Sequence, residues 1–300
     1  MGDAADDIKL VTAEPIASPK TDNAGHFDPS HSASPNRLDS EKHHDYFNSF
    51  LDKAPLALAI WRASEAKALE RVQVVPPVLD LGCGFGEFAG VFFDATVDIG
   101  VDPSQVDLSR AEAAGKHALL IRGDARALPL PDASVSTVLS NSVLEHISGP
   151  ERVLAEAFRV LRPHGVFAFT VVTSHMSDEM LLPRAFNRIH VKRLAHLYAT
   201  TYHRLFSHVS LHSKDAWVQM THDAGFELVA VDNILTRKAL LAFELLLVTA
   251  VPSQVARTLA GRRLNLVPRP VRQAALRPFR RLLEGNRDRL TNVLVVARKP

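Results

Sequence analysis

Two periodicities alternate along the chain. Between residues 76 and 173, short continuous apolar runs are separated by stretches in which apolar side chains return every three or four positions. The runs Val78–Gly82, Val97–Asp102, Ala118–Asp124, Ser134–Asn141 and Gly165–Thr173 read as strands. The segments between them, among them "SQVDLSRAEAAG" and "ERVLAEAFRVL", read as helices. Strands apolar on both faces and separated by helices predict a parallel sheet covered on each side, a doubly wound α/β fold. Upstream, Leu56, Ile60, Ala63 and Ala66 recur at helical spacing until Pro76-Pro77 stops the pattern. Downstream, Phe226–Asp232 and Thr291–Lys299 read as two more strands, with a long stretch of different character between them.

Composition changes the picture mainly at the ends. With 46% hydrophobic residues, the 300-residue chain has material for a sizeable core. Residues 1–40 are rich in Ser, Pro, Asp and Asn and carry three basic against seven acidic side chains. They are expected to form a disordered acidic leader, with one domain over 41–300. The net charge of +2 hides the opposite bias at the other end, where residues 252–300 hold twelve basic and two acidic side chains. A single cysteine, Cys83, excludes an internal disulfide and points to a reducing cytoplasm. Neither a secretory signal nor a spanning apolar run is evident.

The chemistry is concentrated in "VLDLGCGFGEF", Val78–Phe88. A strand, a glycine turn and a helix start present backbone N–H groups to a ligand that comes very close. The glycines Gly82, Gly84 and Gly86 follow a GxGxG spacing, and Glu87 stands where a dinucleotide fingerprint would have its third glycine. Glu87 and Asp80 would repel a pyrophosphate; they suit a ligand that carries an ammonium and a sulfonium. Asp102, at the end of the second strand, can accept the two hydroxyls of a ribose. Asp124, at the end of the third, can accept an exocyclic amine of adenine. Strand-end aspartates also cap helices, which is the alternative for any one of them.

These segments resemble the class I S-adenosylmethionine-dependent methyltransferases, in the small-molecule branch that includes the ubiquinone and menaquinone enzymes. The resemblance rests on "VLDLGCGFG", "GVDPS", "GDARALPLPDASVSTVLSNSVLEHI" and "RVLRPHGVFAFT". It implies a mostly parallel seven-stranded sheet with a reversed last strand, and S-adenosyl-L-methionine as cofactor. It assigns Asp80 and the loop Gly82, Cys83, Gly84 and Gly86 to the methionine portion. Asp102 and Pro103 fall to the ribose segment, and Asp124 with Ala125 to the adenine. His164 replaces a glycine common in relatives, at a turn away from the cofactor.

His146, expected at the start of a helix, is the candidate general base; the helix terminus would keep it neutral. Packing against the cofactor pocket is the alternative. Glu145 and Ser140 stand beside it, and Asn141 either binds cofactor or substrate or ties down its loop. His203, His208 and His212 fall in a region, 174–224, expected to form a substrate lid. No carboxylate or cysteine joins them, so no metal is expected.

An insert over 236–290 separates the last two strands. Its apolar run Ala239–Val251 makes a helix of roughly 20 Å, too short to span a bilayer. An arginine-rich stretch follows. The insert is either a lid helix packed on the core or a contact for an anionic membrane surface. Phe279 is the only aromatic residue after 243, so nucleic acid is not an expected partner. The composite expectation is methyl transfer, O-methylation favoured, to a small hydrophobic acceptor. A lipid-linked sugar or quinone at the membrane, and a non-catalytic cofactor-binding scaffold, are the alternatives.

Overall fold

The computed structural model describes residues 45–247, 268, 271, 287 and 289–300. The leader expected at 1–40 and most of the insert expected at 236–290 lie outside the described residues. In chain order the elements are α1 (Tyr46–Leu51), α2 (Leu56–Leu69), β1 (Val78–Leu81), α3 (Ala89–Phe92), β2 (Val97–Asp102), α4 (Gln105–Ala114) and β3 (His117–Arg122). They continue with β4 (Val135–Asn141), a 3-10 turn (Leu144–His146), α5 (Pro150–Val160), β5 (Leu161–Val172), α6 (Met176–Glu179) and α7 (Leu181–Arg188). Last come α8 (Lys192–Leu205), α9 (Lys214–Asp223), β6 (Glu227–Asn233), a helix α10 described over 237–247, and β7 (Asn292–Arg298).

The seven strands form one sheet in the order β3-β2-β1-β4-β5-β7-β6. Strand β7 is antiparallel to both β5 and β6, which it separates; the other pairings are parallel. This is the expected fold class. The chain winds outward from β1 to β3, then returns to lay β4 on the other side of β1. At that reversal the carboxyl ends of β1 and β4 diverge and leave a crevice, the usual place for a ligand in an open parallel sheet.

Both faces of the sheet are covered. On one face α1 and α2 bury Phe47, Phe50, Ile60 and Leu69 against Leu139, Ala168 and Leu294 of the sheet. On the other, α5 and α9 bury Leu154, Ala157 and Trp217 against Phe167 and Phe169. Helix α2 is buried nearly all round. Its alanines at 57, 59, 63, 66 and 68 admit close neighbours on every side, so apolar stripe logic fails for it.

Several boundaries differ from expectation. The helical pattern before β1 is broken at Ala54-Pro55 into α1 and α2, because proline cannot donate to a continuing helix. Strand β3 ends at Arg122, so Asp124 lies past it, in a bridge to Ala127. Strand β5 begins at Leu161, and His164, at φ 64°, sits inside it with its N–H donated to the Lys299 carbonyl (2.9 Å). The start of the insert packs as a core helix. Phe243 of α10 is 1% exposed and its ring lies 4.9 Å from that of Trp61. Leu241 and Leu245 face outward.

Candidate active site

Strand β1 delivers Asp80 and then the glycine loop to the crevice. Gly82 adopts φ 77°, and a Cβ there would stand 2.5 Å from a methyl of Val143, so any side chain is excluded both by conformation and by space. Above Gly84 nothing lies within 4 Å of an added Cβ. The backbone is thus open to the cleft at that point. Asp102 supports it from β2: one carboxylate oxygen accepts the Gly84 N–H (2.9 Å) and the other the Ser104 N–H (2.8 Å). A carboxylate offers about four lone-pair sites, so two remain for vicinal hydroxyls. Burial pushes the Asp102 pKa up, against the two backbone N–H bonds.

Asp80 is held by a residue that the sequence reading passed over. His117, the first residue of β3, is wholly buried and its Nε2 donates to Asp80 Oδ2 at 2.9 Å. It reaches across β2 because Gly100 has no side chain; a Cβ there would meet His117 Cδ2 at 2.8 Å. His117 Nδ1 is buried without a hydrogen-bond partner. Cys83 sits between the two aspartates, and burial together with Asp80 and Asp102 drives its thiol pKa far up.

Asp124 is placed at the cleft with its carboxylate engaged. Arg126 grips both oxygens, at 2.7 to 3.1 Å, and its backbone N–H adds a further bond at 2.9 Å. The guanidinium holds the Asp124 pKa below the usual carboxylate range. Ala125 and Pro103 line the same end.

Together these residues bound a cleft of about 470 Å³, the size of a cofactor pocket. Its lining holds five carboxylates, Asp80, Glu87, Asp102, Asp107 and Asp124, against the guanidinium groups of Arg62 and Arg126. The field favours a cationic ligand. Arg62, from α2, lines the cleft and supplies a cation that could meet a ligand carboxylate. It was not identified from the sequence, where it looks like an ordinary surface helix residue.

The floor of the cleft is organised by Glu65, also of α2 and 0% exposed. Its carboxylate accepts from Trp61 Nε1 (2.8 Å), Arg62 Nη1 (2.9 Å), Asn141 Nδ2 (3.0 Å), Asn292 Nδ2 (3.0 Å) and Ser142 Oγ, with Thr170 Oγ1 3.4 Å away. Asn141 Oδ1 in turn accepts from Thr170 (2.9 Å). Both ends of the Asn141 amide are therefore used in tying β4 to α2 and β5. Ser140 likewise donates to the Leu81 carbonyl (2.9 Å) and joins strands instead of facing the cleft.

His146 lines the far end of the cleft with Ile147 and Ser148. It is the last residue of the 3-10 turn, and α5 starts only at Pro150. The expected helix terminus is four residues away, so the dipole argument for a neutral His146 does not apply. Its tautomer is set by a hydrogen bond: Nδ1 lies 3.0 Å from the Ser207 carbonyl, which can only accept.

The three histidines of the expected lid separate. His212 packs its ring edge-on to Trp217, at 5.2 Å. His203 and His208 meet at 3.0 Å between their Nδ1 atoms, and His208 lies 5.2 Å ring to ring from His146. Burial, reinforced by the other two imidazoles, drives the His208 pKa down to about 3. A carboxylate does join this group, contrary to expectation, and it comes from another segment. Glu145 is wholly buried, with Oε1 accepting the Val172 N–H (3.2 Å) and Oε2 without a partner. Burial, with Glu65 nearby, pushes its pKa up to about 8.

Residues 79–169 match the family model described as a methyltransferase domain. An uncharacterized methyltransferase of Mycobacterium tuberculosis is 36% identical over 129 residues, 40% of this chain and 48% of that one. The "probable S-adenosylmethionine-dependent methyltransferase" of Mycolicibacterium smegmatis is 40% identical over 91 residues, 30% of this chain and 35% of that one. The chain thus spans about half the length of the curated relatives it matches. Among solved structures, geranyl diphosphate C-methyltransferase of Streptomyces coelicolor has a TM-score of 0.52 at 13% identity, covering 82% of this chain and 84% of that one. A SAM-dependent methyltransferase of Thermotoga maritima has a TM-score of 0.51 at 20% identity, covering 82% and 92%. These two likenesses are of fold, and none of the matches described singles out the quinone branch. With the domain match over residues 79–169, the reversed seventh strand and the acids at the strand ends, the chain carries a methyltransferase domain and has the fold of the class I S-adenosylmethionine-dependent methyltransferases.

Proposed function

We propose that this protein transfers the methyl group of S-adenosylmethionine to a hydroxyl oxygen of a small, hydrophobic acceptor. The observation that carries the reading is a cleft with five carboxylates at its donor end and an imidazole of defined tautomer at the other. In it the ribose hydroxyls bind Asp102, the adenine amine meets Asp124 beside Ala125, and the amino-acid end lies between Asp80 and Arg62. Displacement at a sulfonium methyl is in-line, so holding donor and acceptor in register supplies much of the rate. His146 presents Nε2 in its lone-pair form and takes the hydroxyl proton. Residues 174–224 act as the lid, since Ser207 and His208 already stand against His146.

The test is a screen of lipid extracts, quinol precursors and glycosides with isotopically labelled methyl donor, read by mass spectrometry. A labelled O-methyl product is expected. Tight S-adenosylhomocysteine binding with no labelled product from any pool would favour the scaffold reading. Binding of NADH in its place would remove the family function altogether.

A second reading, methylation of a lipid-linked acceptor at a membrane face, is supported by α7 and α8. Ile189, Val191, Leu194 and Leu197 are exposed there among Arg184, Arg188, Lys192 and Arg193. No acidic residue occurs between 181 and 206. Apolar area with basic charge is what an anionic interface takes up. Among the described residues no helix is long and apolar enough to cross a membrane. Co-flotation with phosphatidylglycerol vesicles, lost on combining Arg188→Glu, Lys192→Glu and Arg193→Glu, is expected; equal flotation of both proteins would remove this reading.

A further inference from the structure

The seam between the 3-10 turn and the α8–α9 connection brings two imidazoles and one carboxylate to one point. Ligand atoms of Glu145, His146 and His208 all lie within 4.8 Å of one another. Backbone bonds, not side-chain chance, hold the seam shut. The Glu145 carbonyl accepts the N–H groups of Val209 (2.8 Å) and Ser210 (2.9 Å), and Ser210 Oγ donates to the Ile147 carbonyl (2.7 Å).

Each of the three side chains has one atom fixed from behind and the other aimed inward. In Glu145, Oε1 takes the Val172 N–H, and Oε2 is buried with no hydrogen-bond partner. In His146, the Nδ1–H is committed to the Ser207 carbonyl, which puts the lone pair on Nε2. In His208, Nδ1 meets His203 Nδ1, and His203 Nε2 lies 2.7 Å from Ser177 Oγ. The relay can run in either direction; run from His208 to His203 to Ser177, it leaves the lone pair on His208 Nε2, the tautomer a cation would select. Metal-ligating histidines are characteristically fixed through their second nitrogen in this way.

A buried carboxylate oxygen without a donor is expensive as an isolated feature. Hydrogen bonding leaves it unexplained, because Oε2 has no hydrogen-bond partner although two imidazoles stand beside it. A cation held by that oxygen and the two imidazoles would satisfy it. We infer that Glu145, His146 and His208 form a binding site for one divalent transition-metal ion at the acceptor end of the cleft. Two imidazole nitrogens and one carboxylate oxygen suit zinc or a similar borderline ion, while calcium and magnesium prefer all-oxygen sets. Three protein ligands leave a coordination position open, the arrangement of catalytic and not of structural sites.

His146, of the three, lines the cleft, so an ion held there would sit at the cleft wall. The use of the ion, though not its binding, rests on the methyl-transfer reading. An acceptor hydroxyl bound to the ion becomes more acidic and releases its proton to solvent water. The oxygen lone pair then forms the new O–CH3 bond, the S–CH3 bond breaks, and its electron pair returns to sulfur, leaving a neutral thioether. With the ion in place His146 is a ligand and the ion replaces it in activating the hydroxyl.

Zinc titration of the full chain, followed by competition with a chromogenic chelator, tests the site without any acceptor. Cobalt substitution, read by visible d–d absorption, provides a second signal. The wild type and a His212→Ala control are expected to bind the same tight equivalent. His208→Ala should lose that equivalent and the cobalt bands. His203→Ala, a positioning residue, should weaken it about 10- to 100-fold. If wild type holds zinc no more tightly than His208→Ala, the proposal fails. S-adenosylhomocysteine binding, measured on the same samples, reports separately on the donor pocket. Its absence would sink the methyltransferase reading and leave the metal result standing.

Discussion

At the donor end of the cleft, Asp80, Asp102 and Asp124 leave three successive strands and meet because parallel register brings strand ends together. At the acceptor end, the contacts come from segments far apart in the chain; 61 residues separate His146 from the Ser207 carbonyl that orients it. The contrast extends to two buried glutamates. Glu65 accepts from five donors and Glu145 from one backbone N–H. The first is saturated and serves the fold, joining α2 to β4 and β7. The second is left incomplete beside two imidazoles, as a group kept for a ligand would be.

The largest effect expected is at the saturated carboxylate. Glu65→Ala strands the buried donors of Trp61, Asn141 and Asn292 together with the part-buried ones of Arg62 and Ser142, and losing one partner of a buried charged network typically costs about 3–5 kcal/mol. For a domain of this size that is a fall in Tm on the order of 10 °C, measurable by calorimetry. Glu145→Gln retains the Val172 bond and should leave Tm close to the wild type. Equal losses in the two variants would erase the distinction drawn between them.

Next in size is His146→Ala. Removing the group that activates the acceptor should lower turnover about 100-fold or more, with S-adenosylhomocysteine affinity unchanged. Asp102→Ala should do the reverse. Losing charge-assisted bonds to the ribose is worth roughly 1.5–3 kcal/mol of cofactor affinity, read by calorimetry. If both substitutions moved binding and turnover together, the two ends would not be separable functions.

The same contrast explains what could be read from the sequence. The acids that line the cleft, Asp80, Asp102 and Asp124, were visible, because a strand end announces itself by an apolar run that stops at or near an acid; His117 and Arg62 were not. His117 opens a strand and reaches Asp80 across a neighbouring strand, so nothing local marks it. Arg62 and Glu65 were hidden for another reason. On a helix that should show an apolar stripe, charged residues are assigned to solvent, and only the sheet packed over them shows otherwise. The acceptor end failed differently again. His203, His208 and His212 were grouped by spacing, yet the carboxylate brought close to His208 is that of Glu145, which a search along one segment does not reach. His146 was identified correctly for its place and wrongly for its cause, since its tautomer is fixed by a carbonyl and not by a helix terminus.

The smallest effect sharpens the donor side. Arg126 grips Asp124 bidentately, but both side chains are well exposed, at 39% and 46%, so water screens the pair and its worth is at most about 1 kcal/mol. The guanidinium and an adenine amine would compete for the same oxygens. Arg126→Ala is therefore expected to leave S-adenosylhomocysteine affinity within a few fold of wild type, or to raise it slightly, by about 0.5 kcal/mol on the scale of an exposed pair. Asp124→Ala should lower affinity by about tenfold, the net worth of one hydrogen bond to a charged acceptor. If instead Arg126→Ala weakened binding as much as Asp124→Ala, the guanidinium itself would be the adenine contact, stacking on the base, with Asp124 serving to hold it.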